Sequence, residues 1–166
     1  MGDRFRGVHR AVRIGLSEEE KFARTSFWGE IYDLDVDTDA LELSEVIRLF
    51  EEKVEPSLVE RHGRFVFVTG HPIEMSPLAY SSDGVVADRF ELYVDGMEVA
   101  NGYSEQNDWR KQQAAMEAMG NVDVDYIEDM KIGLPRTCGI GFGVDRLAML
   151  RLGLDDIKDV IAFPAY

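Results

Sequence analysis

The chain has 166 residues, 45% of them hydrophobic, which is enough for one compact domain with a sizeable core. Acids outnumber bases by 32 to 18, and the formal net charge of -14 repels phosphate backbones at long range. This excludes a uniformly basic nucleic-acid-binding surface but not a local basic patch. The single cysteine, Cys138, excludes an internal disulfide framework and a Cys/His zinc set, and no apolar run approaches the ~18 residues of a membrane span.

The first 15 residues carry Arg4, Arg6, Arg10 and Arg13 against one acid, Asp3, but lack the apolar stretch of a secretory signal. A soluble cytoplasmic protein that engages no membrane is the expectation. Ser17, followed by Glu18, Glu19 and Glu20, reads as a capped helix start. Residues 41–58 predict a helix, because Leu43, Val46, Ile47, Phe50 and Val54 recur at the spacing of one buried face. Pro56 predicts a break or kink near its end. Residues 64–68 are β-branched and aromatic and predict a central strand, closed by Gly70 and Pro72. Residues 73–88 read as a loop. Residues 89–103 predict a hairpin turning at Asp95 and Gly96, a favoured two-residue turn. Helices come next at 109–120 and 123–132, then a short glycine-rich strand at 137–142 and a helix at 145–152 stopped by Gly153. Residues 155–163 form an amphipathic segment before Pro164. Strands and helices mix without regular alternation, so the expected class is α+β, an antiparallel sheet flanked by helices.

The hairpin carries the first candidate chemistry. With Asp95 and Gly96 as the turn, Val94 faces Met97, Tyr93 faces Glu98 and Glu91 faces Ala100. Alternation then puts Glu91, Tyr93 and Glu98 on one face, with the two carboxylates as diagonal neighbours within reach of a common ion. Carboxylates on rigid strands suit Mg²⁺, which prefers oxygen ligands and bridges to phosphates. An ordinary half-exposed hairpin has the same alternation. Strict alternation puts Asn101 on the face opposite Glu98, while Gly102 permits a bulge or bend that re-aims the residues after it. Asn101, Tyr103 and Glu105 offer an amide, an aromatic ring and an acid, a set suited to a cationic amino acid. A polar strand end leading into a capped helix has the same composition.

Gly139, Gly141 and Gly143 clear one face of a strand, so a flat ring such as adenine can lie against its backbone. Arg146, just inside the next helix, can reach a phosphate with its fork of donors. Close strand–helix packing, with Arg146 paired to Asp145 or another acid, is the competing reading. The pattern is neither a dinucleotide fingerprint nor a phosphate-cradling P-loop. Cys138 has no base near it in sequence and reads as a small buried residue.

Together these segments resemble the class II aminoacyl-tRNA synthetases. The stretch from Gly139 to Arg146 looks like the family's motif 3, whose strand–helix unit supports ATP. The resemblance assigns ATP contacts to Gly143 and Arg146, with Arg146 on the γ-phosphate. Within the class the lysyl enzymes fit best. The stretch from Phe67 to Ala79, including His71-Pro72 and Met75-Ser76-Pro77, looks like their loop before the hairpin. The stretches from Arg89 to Val94 and from Glu98 to Asp108 look like their metal and amino-acid site, and residues 157–164 are also similar. The resemblance covers about residues 45–166. It implies Glu91 and Glu98 as Mg²⁺–ATP carboxylates, Glu98 and Arg146 as catalytic, and Asn101, Tyr103 and Glu105 as lysine contacts.

By this reading residues 41–166 are half of a class II catalytic core and residues 1–40 a segment of unclear role. The implied function is ATP-dependent activation of lysine as its adenylate, with transfer to tRNA. The alternatives are a non-catalytic relative that binds lysine or ATP or regulates a partner, and a ligase serving a protein or other non-tRNA acceptor. The family's anticodon-binding barrel and the dimer helix of motif 1 are not visible. Motif 2, which supplies an arginine for the α-phosphate, has only faint echoes at Phe5-Arg6, where Val8 replaces the expected acid, and at residues 24–32 read as a degenerate second strand. Arg136 and Cys138 also depart from the usual approach to motif 3. A half-site predicts a homodimer or a complex with another synthetase-like chain.

Overall fold

The computed structural model describes residues 22–163. The expectations at Phe5-Arg6 and at the Ser17 helix start lie outside the described residues.

β1 (Phe22–Ser26) runs directly into α1 (Phe27–Tyr32). Ser26 makes the change, because its hydroxyl accepts a hydrogen bond from the Gly29 N–H at 3.1 Å and caps the helix. Residues 24–32 are therefore not the single strand expected for a motif 2 echo. Residues 22–32, set apart in the sequence reading, share the sheet and core of the rest. β1 pairs in parallel with β2 (Phe65–Thr69), with Ala23 opposite Val66 and Thr25 opposite Val68.

The helix expected over 41–58 forms, but it changes pitch. α2 (Leu43–Leu49) widens into a π-helical turn at Phe50–Val54, then tightens into a 3-10 turn at Glu55–Ser57 and continues as α3 (Leu58–His62). Pro56 has no N–H to donate, and the ladder is irregular around it. Glu42 and Glu45 begin the run as a capping box. Val46, Phe50 and Val54 are buried as the periodicity predicts, and they join Phe27, Ile31, Leu58, Val66, Val68 and Tyr93 in one core. Phe27 stacks on Phe50 with ring centroids 4.5 Å apart. Burying each such side chain contributes about 1.5–3 kcal/mol.

β3 (Arg89–Val94) and β4 (Met97–Ser104) form the expected hairpin. Asp95 and Gly96 both take positive φ, 51° and 79°, which is the twist a two-residue hairpin requires. Arg64 clamps the turn through Asp95 at 2.9 Å. α4 (Trp109–Ala118) and α5 (Val124–Ile132) come next, capped by Asp108 and Asp123. β5 (Cys138–Phe142) pairs antiparallel with β4, and α6 (Val144–Leu152) ends at Gly153 in the left-handed conformation. Among the described residues this gives one five-stranded sheet in the order β1-β2-β3-β4-β5 with helices beside it. The fold is α+β, with β1 adding a parallel pair to the antiparallel sheet. All five residues of β5 are exposed, so Cys138 is a surface residue and not the buried one expected. Among the described residues no helix is long and apolar enough to cross a membrane.

Candidate active site

The site begins with an irregularity in the hairpin. Val94 opposes Met97 and Tyr93 opposes Glu98, as expected, but Leu92 then opposes Ala100 and Glu91 opposes Asn101. Val99 is the extra residue of a β-bulge, and it reverses the alternation beyond it. Glu91 thus faces Asn101 and not Ala100. Directly paired residues point the same way, so Arg89, Glu91 and Tyr93 share a face with Glu98, Asn101 and Tyr103. Glu98 Oε1 accepts a hydrogen bond from Asn101 Nδ2 at 3.0 Å. The bulge precedes Asn101, whereas Gly102 sits in regular register between Phe90 and Ile140. Gly102 is needed for space, because a Cβ there would lie 2.7 Å from the Gly139 carbonyl oxygen and 2.9 Å from the Phe90 ring.

β5 continues the same face with glycines. Gly141 opposes Asn101 and Gly139 opposes Tyr103. A Cβ on Gly139 would sit 3.4 Å from Glu105 Oε1, so the acid lies over this cleared strand. The Gly143 N–H donates to the Val99 carbonyl at 2.9 Å and ties the start of α6 to the bulge. From the first turn of α6, Arg146 Nη1 reaches the Glu98 carbonyl oxygen at 2.7 Å and its carboxylate at 3.4 Å. The arginine is thus paired with an acid, but that acid comes from β4 and not from Asp145. A cavity of about 270 Å³ is lined by Glu98, Asn101, Gly141, Gly143 and Arg146. A neighbouring one of about 640 Å³ adds Glu55, Tyr93, Asp155 and Asp156 around the same Glu98 and Arg146. A larger cavity, about 860 Å³, is lined by Thr69, Phe90 and Ile140 and also by Arg89 and Gly139, and of the predicted site residues only Tyr103 borders it.

Glu91 is buried, and both its oxygens are held. Arg89 pairs with Oε1, while Oε2 accepts from His71 Nε2 at 3.1 Å and from the Tyr93 hydroxyl at 3.0 Å. Burial pushes the Glu91 carboxyl up, but His71, Arg89 and Tyr93 outweigh it and hold it below the ordinary carboxylate value. The Tyr93 hydroxyl also lies 2.8 Å from Glu55 Oε1. Burial, together with the charges of Glu91, Glu51 and Glu98, raises the Glu55 carboxyl against the opposing Tyr93 bond. Tyr93 itself is raised by burial and by the charges of Glu91 and Glu55, so it stays a phenol. His71, Arg89, Tyr93 and Glu55 were not among the predicted site residues. His71 lies 20 residues from Glu91 in sequence and Glu55 lies 38 from Tyr93, so only tertiary packing brings each to its partner.

Tyr103 and Glu105 lie at the other end of the face. Burial raises the Glu105 carboxyl, with no cation among the described residues offsetting it. Burial and the neighbouring Glu105 charge raise Tyr103, with Tyr126 adding and Arg89 opposing. Glu105 is thus a half-buried acid beside an aromatic ring.

Among the described residues no three or more His, Cys, Asp or Glu side chains converge as a preformed metal cage. Glu91 and Glu98 nevertheless put carboxylate oxygens, the donor type a hard cation takes, on one strand face, with Arg146 beside Glu98.

Comparison with known proteins gives the family. The family described as tRNA synthetases class II (D, K and N) matches residues 4–166. This chain belongs to that family. Among its relatives, the lysine--tRNA ligase of Legionella pneumophila (strain Lens) is 45% identical across 80% of this chain and 29% of its own length. That of Lactococcus lactis subsp. cremoris (strain MG1363) is 36% identical across 99% of this chain and 36% of its own. That of Xanthomonas oryzae pv. oryzae (strain MAFF 311018) is 42% identical across 72% of this chain and 25% of its own. The chain therefore spans about a quarter to a third of the length of these relatives. As a class II synthetase domain of lysyl type, it is a relative of ligases.

Proposed function

We propose that this domain carries the lysine and ATP end of a lysyl-tRNA synthetase-type active site and serves the activation of lysine as its adenylate. The observation that carries the reading is the bulge at Val99. It sets Glu98, Asn101 and Tyr103 on the face of Glu91, beside the glycine-cleared β5 and under Arg146.

In this reading the Glu105 carboxylate takes the lysine ε-ammonium, Tyr103 packs along the alkyl stem and Asn101 donates to the α-carboxylate. Gly143 and the flat face of β5 leave room for adenine. Arg146, whose side chain is 46% exposed, turns from Glu98 toward the γ-phosphate. Glu91 and Glu98 would hold Mg²⁺ carried in on ATP, and the ion would neutralise phosphate charge there. A lysine carboxylate oxygen then attacks the α-phosphorus, the bond to the bridging oxygen breaks, and pyrophosphate leaves. Positioning and charge neutralisation carry the step, and Glu98 and Arg146 are its catalytic groups. A tRNA hydroxyl then attacks the lysyl carbonyl and releases AMP. Given the net charge of -14, tRNA is met by a local patch or by a partner, either a second copy of this chain or another synthetase-like chain. The site works in the cytoplasm.

Pyrophosphate exchange into ATP with Mg²⁺ and each amino acid in turn tests the reading. Exchange with lysine alone is the expected result. Exchange with a different amino acid contradicts the assignment of Glu105. If exchange is absent while lysine and ATP together raise the melting temperature, the domain is a binding relative.

A further inference from the structure

His71 is fully buried between aromatic rings, with ring centroids 5.8 Å from Phe27 and 6.4 Å from Phe50. Its Nδ1 has no hydrogen-bond partner among the described residues. Filling space between two phenyl rings calls for leucine, not an imidazole with an orphaned nitrogen. The one polar contact that sets His71 apart is Nε2 to Glu91 Oε2 at 3.1 Å. A carboxylate only accepts, so the proton sits on Nε2. The backbone is built to keep that ring in place. Ala87 donates its N–H to the His71 carbonyl at 2.9 Å, and Pro72 bridges to Val86. The second hold on the same oxygen is the Tyr93 hydroxyl, itself anchored to Glu55 in the helical run.

We infer that His71 and Tyr93 are positioning residues for Glu91. They grip its Oε2 from the core side, Arg89 takes Oε1, and the carboxylate is thereby fixed in the one rotamer with which it meets a phosphate-borne cation. The packing of the helical layer, through Phe27, Phe50 and Glu55, thus sets the geometry of the cation site. This rests on the reading of Glu91 and Glu98 as Mg²⁺–ATP carboxylates. Partners that orient a metal ligand typically control metal affinity by about 10–100-fold.

The test is a titration of the full chain with Mn²⁺–ATP, followed by the electron paramagnetic resonance of Mn²⁺, and a parallel titration with metal-free ATP. His71→Leu and Tyr93→Phe are expected to weaken Mn²⁺–ATP binding about tenfold and to leave metal-free ATP binding unchanged. His71→Gln keeps an N–H donor and is expected to retain affinity to within about threefold. A space-filling role predicts the reverse order, because leucine suits the Phe27–Phe50 gap better than glutamine. Leucine matching or exceeding glutamine overturns the inference, and so does an unaltered Tyr93→Phe. Glu98→Gln separates the two levels. If it abolishes Mn²⁺–ATP binding while His71→Leu and Tyr93→Phe do not weaken it, the positioning role falls and the cation site stands. If it changes nothing, the cation site falls and takes the positioning role with it.

Discussion

The two halves of the sheet treat their charges in opposite ways. On the β1–β2 side, α1 and α3 pack against the strands and the acid turned inward, Glu30, is closed off by the protein. Glu30 is 1% exposed, yet it meets Arg61 at 2.5 Å, His62 at 2.6 Å and the Thr25 hydroxyl. On the β4–β5 side all five residues of β5 are exposed, two glycines replace side chains, and burial raises Glu105 with no described cation opposing it. Glu91 sits at the seam, with its holders on the covered side and Asn101 opposite it on the open side. The difference teaches that the sheet closes its acids off where helices pack on it and leaves them accessible where β5 is bare.

Substitutions of exposed side chains in the open half should cost activity and spare stability, those in the covered half the reverse, and Gly102, packed between β3 and β5, is the exception in the open half. The largest expected effect is Arg146→Ala, which removes a preorganised donor and should lower exchange by about 10²–10³, or roughly 2.7–4 kcal/mol. Its unfolding free energy should stay within about 0.5 kcal/mol of wild type, as for an exposed side chain. Next, Glu30→Ala should destabilise by about 3 kcal/mol in urea, the lower end for breaking a buried pair, because Arg61 keeps Asp33 at 2.8 Å. Its ligand-induced stabilisation should survive at a temperature where it is folded. Gly102→Ala forces a Cβ against the Gly139 carbonyl and the Phe90 ring and should cost about 1–3 kcal/mol by urea denaturation.

The smallest effects are in pH dependence, and they sharpen the seam. Glu91 is depressed in the folded state, so its contribution is present above the ordinary glutamate value of about 4.3 and is lost as pH falls through the folded value. Glu55 is raised, so its stabilising effect is present below about 4.3 and is lost as pH rises through its folded value. At neutral pH Glu91→Gln should therefore destabilise and Glu55→Gln should stabilise. Both differences should shrink in acid, which denaturant titrations at pH 3.5 to 8 would track.

Much of the fold and of the site is legible in the sequence, and the exceptions have physical causes. Residue types carry the Asp95-Gly96 turn, the glycine face of β5 and the buried stripe of Val46, Phe50 and Val54. The register beyond Val99 departs from strict alternation, although the sequence holds a signal for it. Val99 and Ala100 are consecutive apolar residues in an alternating strand, and both are buried. Such a doubling is what a bulge allows, and it moves Asn101 to the working face. Residues 24–32 mislead because strand-compatible side chains continue past Ser26, and only the cap marks the change to helix. His71 and Glu55 are hidden for a different reason. Their partners are set by tertiary packing, which no local spacing encodes.

The central claim, that the open half of the sheet is a lysine and ATP site, is tested most directly by calorimetric titration with a non-hydrolysable lysyl-adenylate analogue. Saturable one-to-one binding is expected, weakened at least about tenfold by Glu105→Gln, since a charged hydrogen bond contributes about 1.5–3 kcal/mol. Glu30→Gln, measured where it is folded, should bind as wild type does. No binding to the folded wild-type chain, or binding that Glu105→Gln leaves unchanged, contradicts the account.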